Sequence, residues 1–213
     1  MKSGFENARS RVIVEDLVDV IREHRVELSQ IDGAIGDGDH GINMAKGFSM
    51  AAERIGPSAS FTGALKVVGD VLMTEIGGAM GPLYGGFFRG MAKAGAGKDV
   101  IDAPVFAAML DEASAAIQRM GEAKVGDKTL VDTLDPAVKA FHSAVSAGAS
   151  FAGALSEMSV AAEKGRNSTI SLVAKVGRSA RLGERSRGAL DAGAASCCLI
   201  LQSMARSITA LLS

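Results

Sequence analysis

Apolar residues recur at three- and four-residue intervals along most of the chain. Val14, Leu17, Val18, Ile21 and Leu28 form one stripe, and Phe61, Leu65, Val68, Leu72 and Ile76 form another. That spacing puts each set on one face of an α-helix. The same interval returns in Phe106, Met109, Ala113, Ile117 and Met120, in Leu134, Val138, Phe141 and Val145, in Phe151, Leu155 and Met158, and in Ile200, Met204, Ile208 and Leu211. No segment alternates with period two, so the pattern predicts an all-α protein of about eight helices joined by short connections. The second helix is expected to start near Gly41 and the fourth near Gly81.

The prolines sharpen this picture. Pro57, Pro82, Pro104 and Pro136 fall between the periodic stretches or where a first helical turn would lie, and there a missing N–H costs little. On this reading Asp102 and Asp135 are candidate N-caps. Six glycines, Gly77, Gly78, Gly81, Gly85, Gly86 and Gly90, crowd one helical region. Each interior glycine costs about 1 kcal/mol relative to alanine. Two explanations stay open for them: close helix packing, or a backbone that must approach a ligand.

With 213 residues the chain can bury a substantial core as one domain, residues 1–213, and no linker or internal repeat divides it. The net charge of −1 gives no global field to attract nucleic acid or an anionic membrane, and one tyrosine without tryptophan offers little for base stacking. No signal-peptide pattern follows Met1, and acidic or basic residues interrupt the apolar runs, so a cytoplasmic protein is expected. Cys197 and Cys198 are adjacent in an apolar segment and read as buried thiols.

The most informative stretch runs from Ile31 to Asn43 and places Asp32, Asp37 and Asp39 within eight residues, among Gly33, Gly36, Gly38 and Gly41. Like charges this close repel one another. Clustered carboxylate oxygens without a thiolate suit a hard cation, magnesium before calcium or manganese. The segment spells GxGxxG from Gly36 to Gly41, but no strand precedes it and two aspartates sit inside the turn, which argues against a dinucleotide fold. An EF-hand fails too, because counting from Asp37 puts Ile42 where glycine is needed and Phe48 where the bidentate glutamate belongs. What remains is a metal-bridged phosphate site, with the helix after Gly41 offering free N–H groups and its positive end. Asn43 is a candidate phosphate donor, and His40 is either structural or a ligand contact.

Two further segments complete the inventory. Gly121 to Thr129 nearly spells a Walker A loop, but Asp127 intrudes before Lys128 and no strand leads in, so it is read as a polar connection able to close over a nucleotide. Arg166, Lys175, Arg178, Arg181, Arg185 and Arg187 are opposed only by Glu184, a local charge of +5. A phosphate clamp or a docking surface for an acidic partner explains this run, with its interspersed glycines, better than a solvated loop does.

Five motifs in order, GDGDHGIN from Gly36, GGAMGPLYGG from Gly77, GDKT from Gly126, GERS from Gly183 and Asp191-Ala192-Gly193, resemble the ADP-binding L subunit of bacterial dihydroxyacetone kinase from about residue 9 onward. The resemblance implies an up-and-down barrel of eight antiparallel amphipathic helices with ADP or ATP and two magnesium ions at one end. It implies that Asp32, Asp37 and Asp39 hold the metal. It assigns nucleotide contacts to His40, Gly41, Ile42, Asn43, Ala79, Met80, Gly121, Leu130, Arg178, Asp191, Ala192 and Gly193, with Arg178 also catalytic. Met80 and Ala192 depart from the serine and proline frequent at those positions. A separate K subunit would hold the small ketose, and in one subtype a phosphotransferase-system M subunit would rephosphorylate the bound ADP; in another, ATP exchanges freely. The alternatives are a kinase subunit for another ketose such as erythrulose, a fatty-acid kinase domain, and a regulatory adapter that binds nucleotide without transferring phosphate.

Overall fold

The computed structural model describes residues 2–213. Its helices are α1 (Val12–Glu23), α2 (Arg25–Ile35), α3 (His40–Arg54), α4 (Phe61–Glu75), α5 (Met80–Gly95), α6 (Ala103–Met120), α7 (Val131–Ser146), α8 (Phe151–Ser168) and α9 (Ala192–Leu212). The chain breaks at His24, which separates α1 from α2 within the first predicted stripe. With those two taken as one bent helix, the eight expected segments are present, the second starting at His40 and the fourth at Met80.

Two features differ from the sequence reading. Strand β1 (Gly4–Glu6) pairs antiparallel with β2 (Val100–Asp102), Phe5 facing Ile101. Three residues per strand are too few to register as alternation. The second difference is at Pro136, which lies inside α7 because that helix starts at Val131, so Asp135 does not cap it. Proline removes the N–H that would bond the Asp132 carbonyl one turn back. Gly165 of α8 packs directly against that carbonyl, where a Cβ would collide with it. Asp102 does cap α6, accepting from Val105 N at 3.0 Å. Pro82 and Pro104 lie in first turns as expected.

Successive helices pack side by side from α2 to α9, and α9 returns to lie against α1. The predicted stripes face inward except at Met120, which is exposed at the end of α6: Leu17, Leu65, Phe106, Phe141, Met158 and Ile200 are fully buried. Each such side chain contributes about 1.5–3 kcal/mol by leaving water. Phe106, Phe141 and Phe151 meet at centroid distances of 5.5–6.1 Å, joining α6, α7 and α8. Helix α9 is long and apolar enough to cross a bilayer by length and composition, yet much of it is buried here against α8, α1 and α7. Cys197 and Cys198 lie on its buried face as free thiols.

Close packing accounts for part of the glycine cluster. A Cβ on Gly85 would stand 2.9 Å from Met73 N and 3.0 Å from Gly69 O, and one on Gly90 would stand 2.6 Å from Glu112 O. Helices α4, α5 and α6 therefore approach backbone to backbone. The two ends of the described chain also meet, Lys2 N donating to Leu212 O at 2.9 Å and Lys2 Nζ to Leu211 O at 3.2 Å.

Candidate functional site

The N-termini of α3, α5, α7 and α9 border one cavity of about 810 Å³, together with the C-terminal turns of α2 and α6. A helix N-terminus carries unsatisfied N–H groups and about half a positive charge, so four of them converging favour an anion. The opposite sign stands beside them. Asp32 belongs to the last turn of α2, while Asp37 and Asp39 belong to the connection leading into α3, and their carboxylate oxygens lie within 4.8 Å of one another.

Local chain geometry produces this cluster. Gly36 ends α2, donating its N–H to the Asp32 carbonyl at 2.6 Å. A Cβ there would stand 2.5 Å from Asp32 Oδ1, so only glycine lets the chain turn this close to the carboxylate. Asp39 directly precedes α3, and His40 N approaches Asp32 Oδ2 at 3.4 Å. Arg178, on the connection between α8 and α9, forms an ion pair with Asp37. An all-oxygen set of three carboxylates suits magnesium.

Behind the carboxylates lies a hydrogen-bonded network. His40 Nε2 meets Ser196 Oγ at 2.9 Å, Ser196 Oγ meets Tyr84 Oη at 2.6 Å, and Gly193 O accepts from Tyr84 at 3.1 Å. Burial pushes the His40 imidazole below the ordinary histidine range, opposed by the charge of Asp32. Asp191 caps α9 by accepting from Ala194 N at 2.7 Å. Burial raises its carboxyl to about 6, against the lowering effects of that N–H and of Lys128. The other wall is apolar, built from Met80, Pro82, Leu83, Ile117 and Met120.

Of the residues expected at the site, Asp32, Asp37, Asp39, His40, Asn43, Ala79, Met80, Gly121, Leu130, Arg178, Asp191, Ala192 and Gly193 all line this cavity. Gly41 and Ile42 do not. Gly41 is buried where α3 crosses α2, against the Arg25 carbonyl, and the Ile42 side chain is 55% exposed. Arg187 is held away from the cavity by Glu184 and the Ser171 carbonyl. The glycine cluster divides between its two explanations. Gly81, Gly85 and Gly90 pack against neighbouring backbone, whereas Gly77 and Gly78 border the cavity with open space around them. Gly78 also has φ of +73°, a conformation glycine adopts without strain.

Sequence reasoning missed Tyr84, Ser196 and Lys128. The first two lie on buried helix faces, and nothing in their spacing distinguishes a hydroxyl in a network from one that merely fills space. Lys128 was visible in the near-Walker string, but only the fold shows that its side chain is 1% exposed. Asp132 was missed as well; its carboxylate accepts from Gly126 N at 2.6 Å and Thr129 N at 2.8 Å and so fixes the 121–130 connection onto α7.

Fold and cavity together define a predominantly α-helical protein with an acidic, anion-attracting site. Residues 34–206 match the DAK2 domain. The chain is 36% identical over 193 residues to the ADP-binding subunit DhaL of PEP-dependent dihydroxyacetone kinase 2 from Listeria innocua, covering 89% of each protein. It is 34% identical to the ADP-binding subunit DhaL of the PEP-dependent dihydroxyacetone kinase of Escherichia coli, covering 88% of this chain and 90% of that one. The chain belongs to the family of ADP-binding DhaL subunits of dihydroxyacetone kinase. In fold it resembles the crystal structure of the dihydroxyacetone kinase from C. freundii in complex with AMP-PNP and Mg2+, with a TM-score of 0.68 and 23% identity over 97% of this chain. The chain spans about a third of that longer protein, 35% of its length.

Proposed function

We propose that this protein is the nucleotide-carrying, phosphoryl-transferring subunit of a small-ketose kinase, holding ADP or ATP in the cavity through two magnesium ions. The observation that carries this reading is the meeting of three carboxylates with four helix N-termini at one cavity. Neither half suffices alone: the helix ends attract phosphate, while the carboxylates repel it unless a cation lies between.

In this reading Asp32, Asp37 and Asp39 hold magnesium, which when bound supplies charge neutralisation at the phosphate oxygens. Around the polyphosphate, the N–H of His40 and the side-chain amide of Asn43 at the start of α3, the N–H groups at Ala79 and Met80, and the Asp191 to Gly193 turn fix position. Gly121 and Leu130 border the nucleoside, whose base rests on the apolar wall of Met80, Pro82, Leu83, Ile117 and Met120. The exposed, forked guanidinium of Arg178 can pair two phosphate oxygens as charge shifts from the terminal phosphoryl group toward the acceptor, and it acts as the catalytic cation. His40 is kept neutral by burial and held by Ser196, so it orients rather than carries charge.

The ketose belongs on a separate K subunit that docks over the cavity mouth. Resupply of the phosphoryl group comes from an M subunit or from exchange with free ATP. The proposal includes a single domain, an eight-helix antiparallel barrel, and action in the cytoplasm without nucleic acid or membrane. Mixing the chain with magnesium, ATP, a K subunit and dihydroxyacetone tests it. Phosphorylated ketose is expected. Tight nucleotide binding without any product would support the adapter reading instead.

A further inference from the structure

Lys128 is an unexpected charge in this fold. Its side chain is 1% exposed, and its backbone, at φ of 63°, is the one non-glycine residue in the left-handed region among the described residues. Such a conformation costs free energy and persists only where the surroundings determine it. The surroundings here are two main-chain carbonyls: the Lys128 ammonium donates to Thr169 O and to Ala189 O.

Those two residues stand on either side of one segment. Residues 170–188 leave the end of α8 just after Thr169, carry Lys175, Arg178, Arg181, Arg185 and Arg187, and return just before Ala189 toward α9. A second bond closes the same neck, Gly188 N donating to Ile170 O at 2.8 Å. Inside the loop Ala174 N donates to Ser186 Oγ at 2.9 Å, and that hydroxyl donates to Gly183 O at 2.6 Å. The loop therefore holds its own shape and hangs from a neck.

It is also tied to the other rim segment. Lys175 N donates to Asp127 O at 3.1 Å, and Lys175 Nζ pairs with Asp127 Oδ1 at 3.1 Å. Asp127 and Lys128 are neighbours in the chain, so consecutive residues of the 121–130 connection grip the flank and the neck of the basic loop. A buried ammonium is costly to desolvate, and burial lowers the Lys128 pKa while the charges of Asp191 and Asp132 oppose that shift. Lysine nonetheless suits the task, having a long stem and three protons to share between carbonyls far apart in sequence.

We propose that Lys128 is a positioning residue that clamps the neck of the Arg178-bearing loop to the 121–130 connection, so that both rim segments move over the cavity as one body. The link to nucleotide handling rests on the function proposed above; the mechanical coupling does not.

Lys128→Met keeps an unbranched stem of similar reach and removes the donor. The variant is expected to retain helical circular dichroism and a cooperative melt. Trypsin under native conditions should cut it after Arg178, Arg181 or Arg185 about tenfold faster than the wild type, with no acceleration at Lys66 or Arg89 inside helices. It should also release ADP in the presence of magnesium about tenfold faster. Wild-type cleavage rates in the folded variant would overturn the proposal. So would acceleration at the helical sites as well, which would make Lys128 a general structural residue, or faster loop cleavage with unchanged ADP release. If the variant does not fold, hydrogen exchange on the wild type decides. The amides of Ala174, Lys175 and Gly188 should share one opening rate with those of Gly126 and Thr129, and a tenfold disparity between the two segments overturns the clamp. A wild type that binds no ADP would sink the nucleotide reading, while the cleavage and exchange results would still decide the coupling.

Discussion

Arg178 and Asp37 are ion-paired across the mouth of the cavity although 141 positions separate them in the chain. The pair joins the basic loop to the carboxylate cluster, and both partners are substantially exposed, so it adds little to stability. Its significance is positional: the arginine already sits beside the carboxylates proposed to hold the metal, where phosphate would meet them.

Asp37→Asn and Asp39→Asn should each lower magnesium-dependent ADP affinity by at least the roughly 10–100-fold that loss of an outer-shell metal partner costs. Their melting without ligand should change little, because both side chains lie in an exposed connection. Calorimetric titration with ADP and magnesium checks the first point and thermal melts the second. Unchanged affinity in both variants would remove these residues from the site.

Arg178→Lys should slow transfer to the ketose about tenfold or more while weakening ADP binding less, since lysine keeps the charge but not the planar fork. Arg187→Lys should alter neither, because Arg187 is held by Glu184 away from the cavity. Single-turnover transfer with one K subunit preparation compares the two. Equal, small effects would reassign the basic loop to partner docking.

ADP with magnesium at a hundredfold excess over Kd should add about 2.7 kcal/mol to native stability. For a domain of this size that corresponds to a rise of about 5–11 °C in Tm. Adding a chelator should abolish most of the shift, because the three carboxylates repel polyphosphate without a cation. Scanning calorimetry with and without chelator measures it.

Gly85→Ala and Gly90→Ala should each destabilise the protein by about 1–3 kcal/mol, since the new methyl group meets backbone on the neighbouring helix. Gly77→Ala should leave stability nearly unchanged, having nothing within 4 Å of a Cβ. Urea denaturation of the three variants distinguishes packing glycines from the cavity-bordering one. A loss at Gly77 as large as at Gly85 would refute the division.

Asp191, with a folded pKa of about 6 against roughly 3.9 in an unfolded chain, binds its proton more tightly in the native state. Its contribution to stability is therefore full below about pH 4 and is lost as pH rises through about 6. Asp191→Asn keeps an oxygen able to cap α9 and removes the titration, so its stability in chelator should fall less than the wild type's between pH 4 and 6. Parallel curves from urea denaturation at several pH values would show that the carboxyl is not the source.

The helices were legible because each buries one face, and a buried face writes its period into the sequence. The acidic site was legible for another reason: three carboxylates between Asp32 and Asp39 are costly unless something binds them, and the GDGDHG string makes that cost local. The interruption at His24 was not legible, since the apolar spacing runs on past it. Nor was the start of α7, where Pro136 looked like a boundary although its missing N–H is accommodated within the helix. Lys128, Tyr84 and Ser196 depend on partners 41 to 156 positions away, and no local pattern encodes such meetings.

The pairing of Lys2 with Leu212 has a bearing on how this domain can be combined with others. Helix α9 runs from the cavity at Ala192 to Leu212, about 30 Å at 1.5 Å per residue, so the two ends of the described chain sit together at the pole remote from the cavity. A neighbour can be spliced to either end, or the domain inserted through both, with its linkers entering and leaving side by side and the mouth left clear. The longer C. freundii kinase, of which this chain spans about a third, shows that a domain of this fold tolerates such company. A purification tag or a dye placed at either end should likewise stand clear of the cavity.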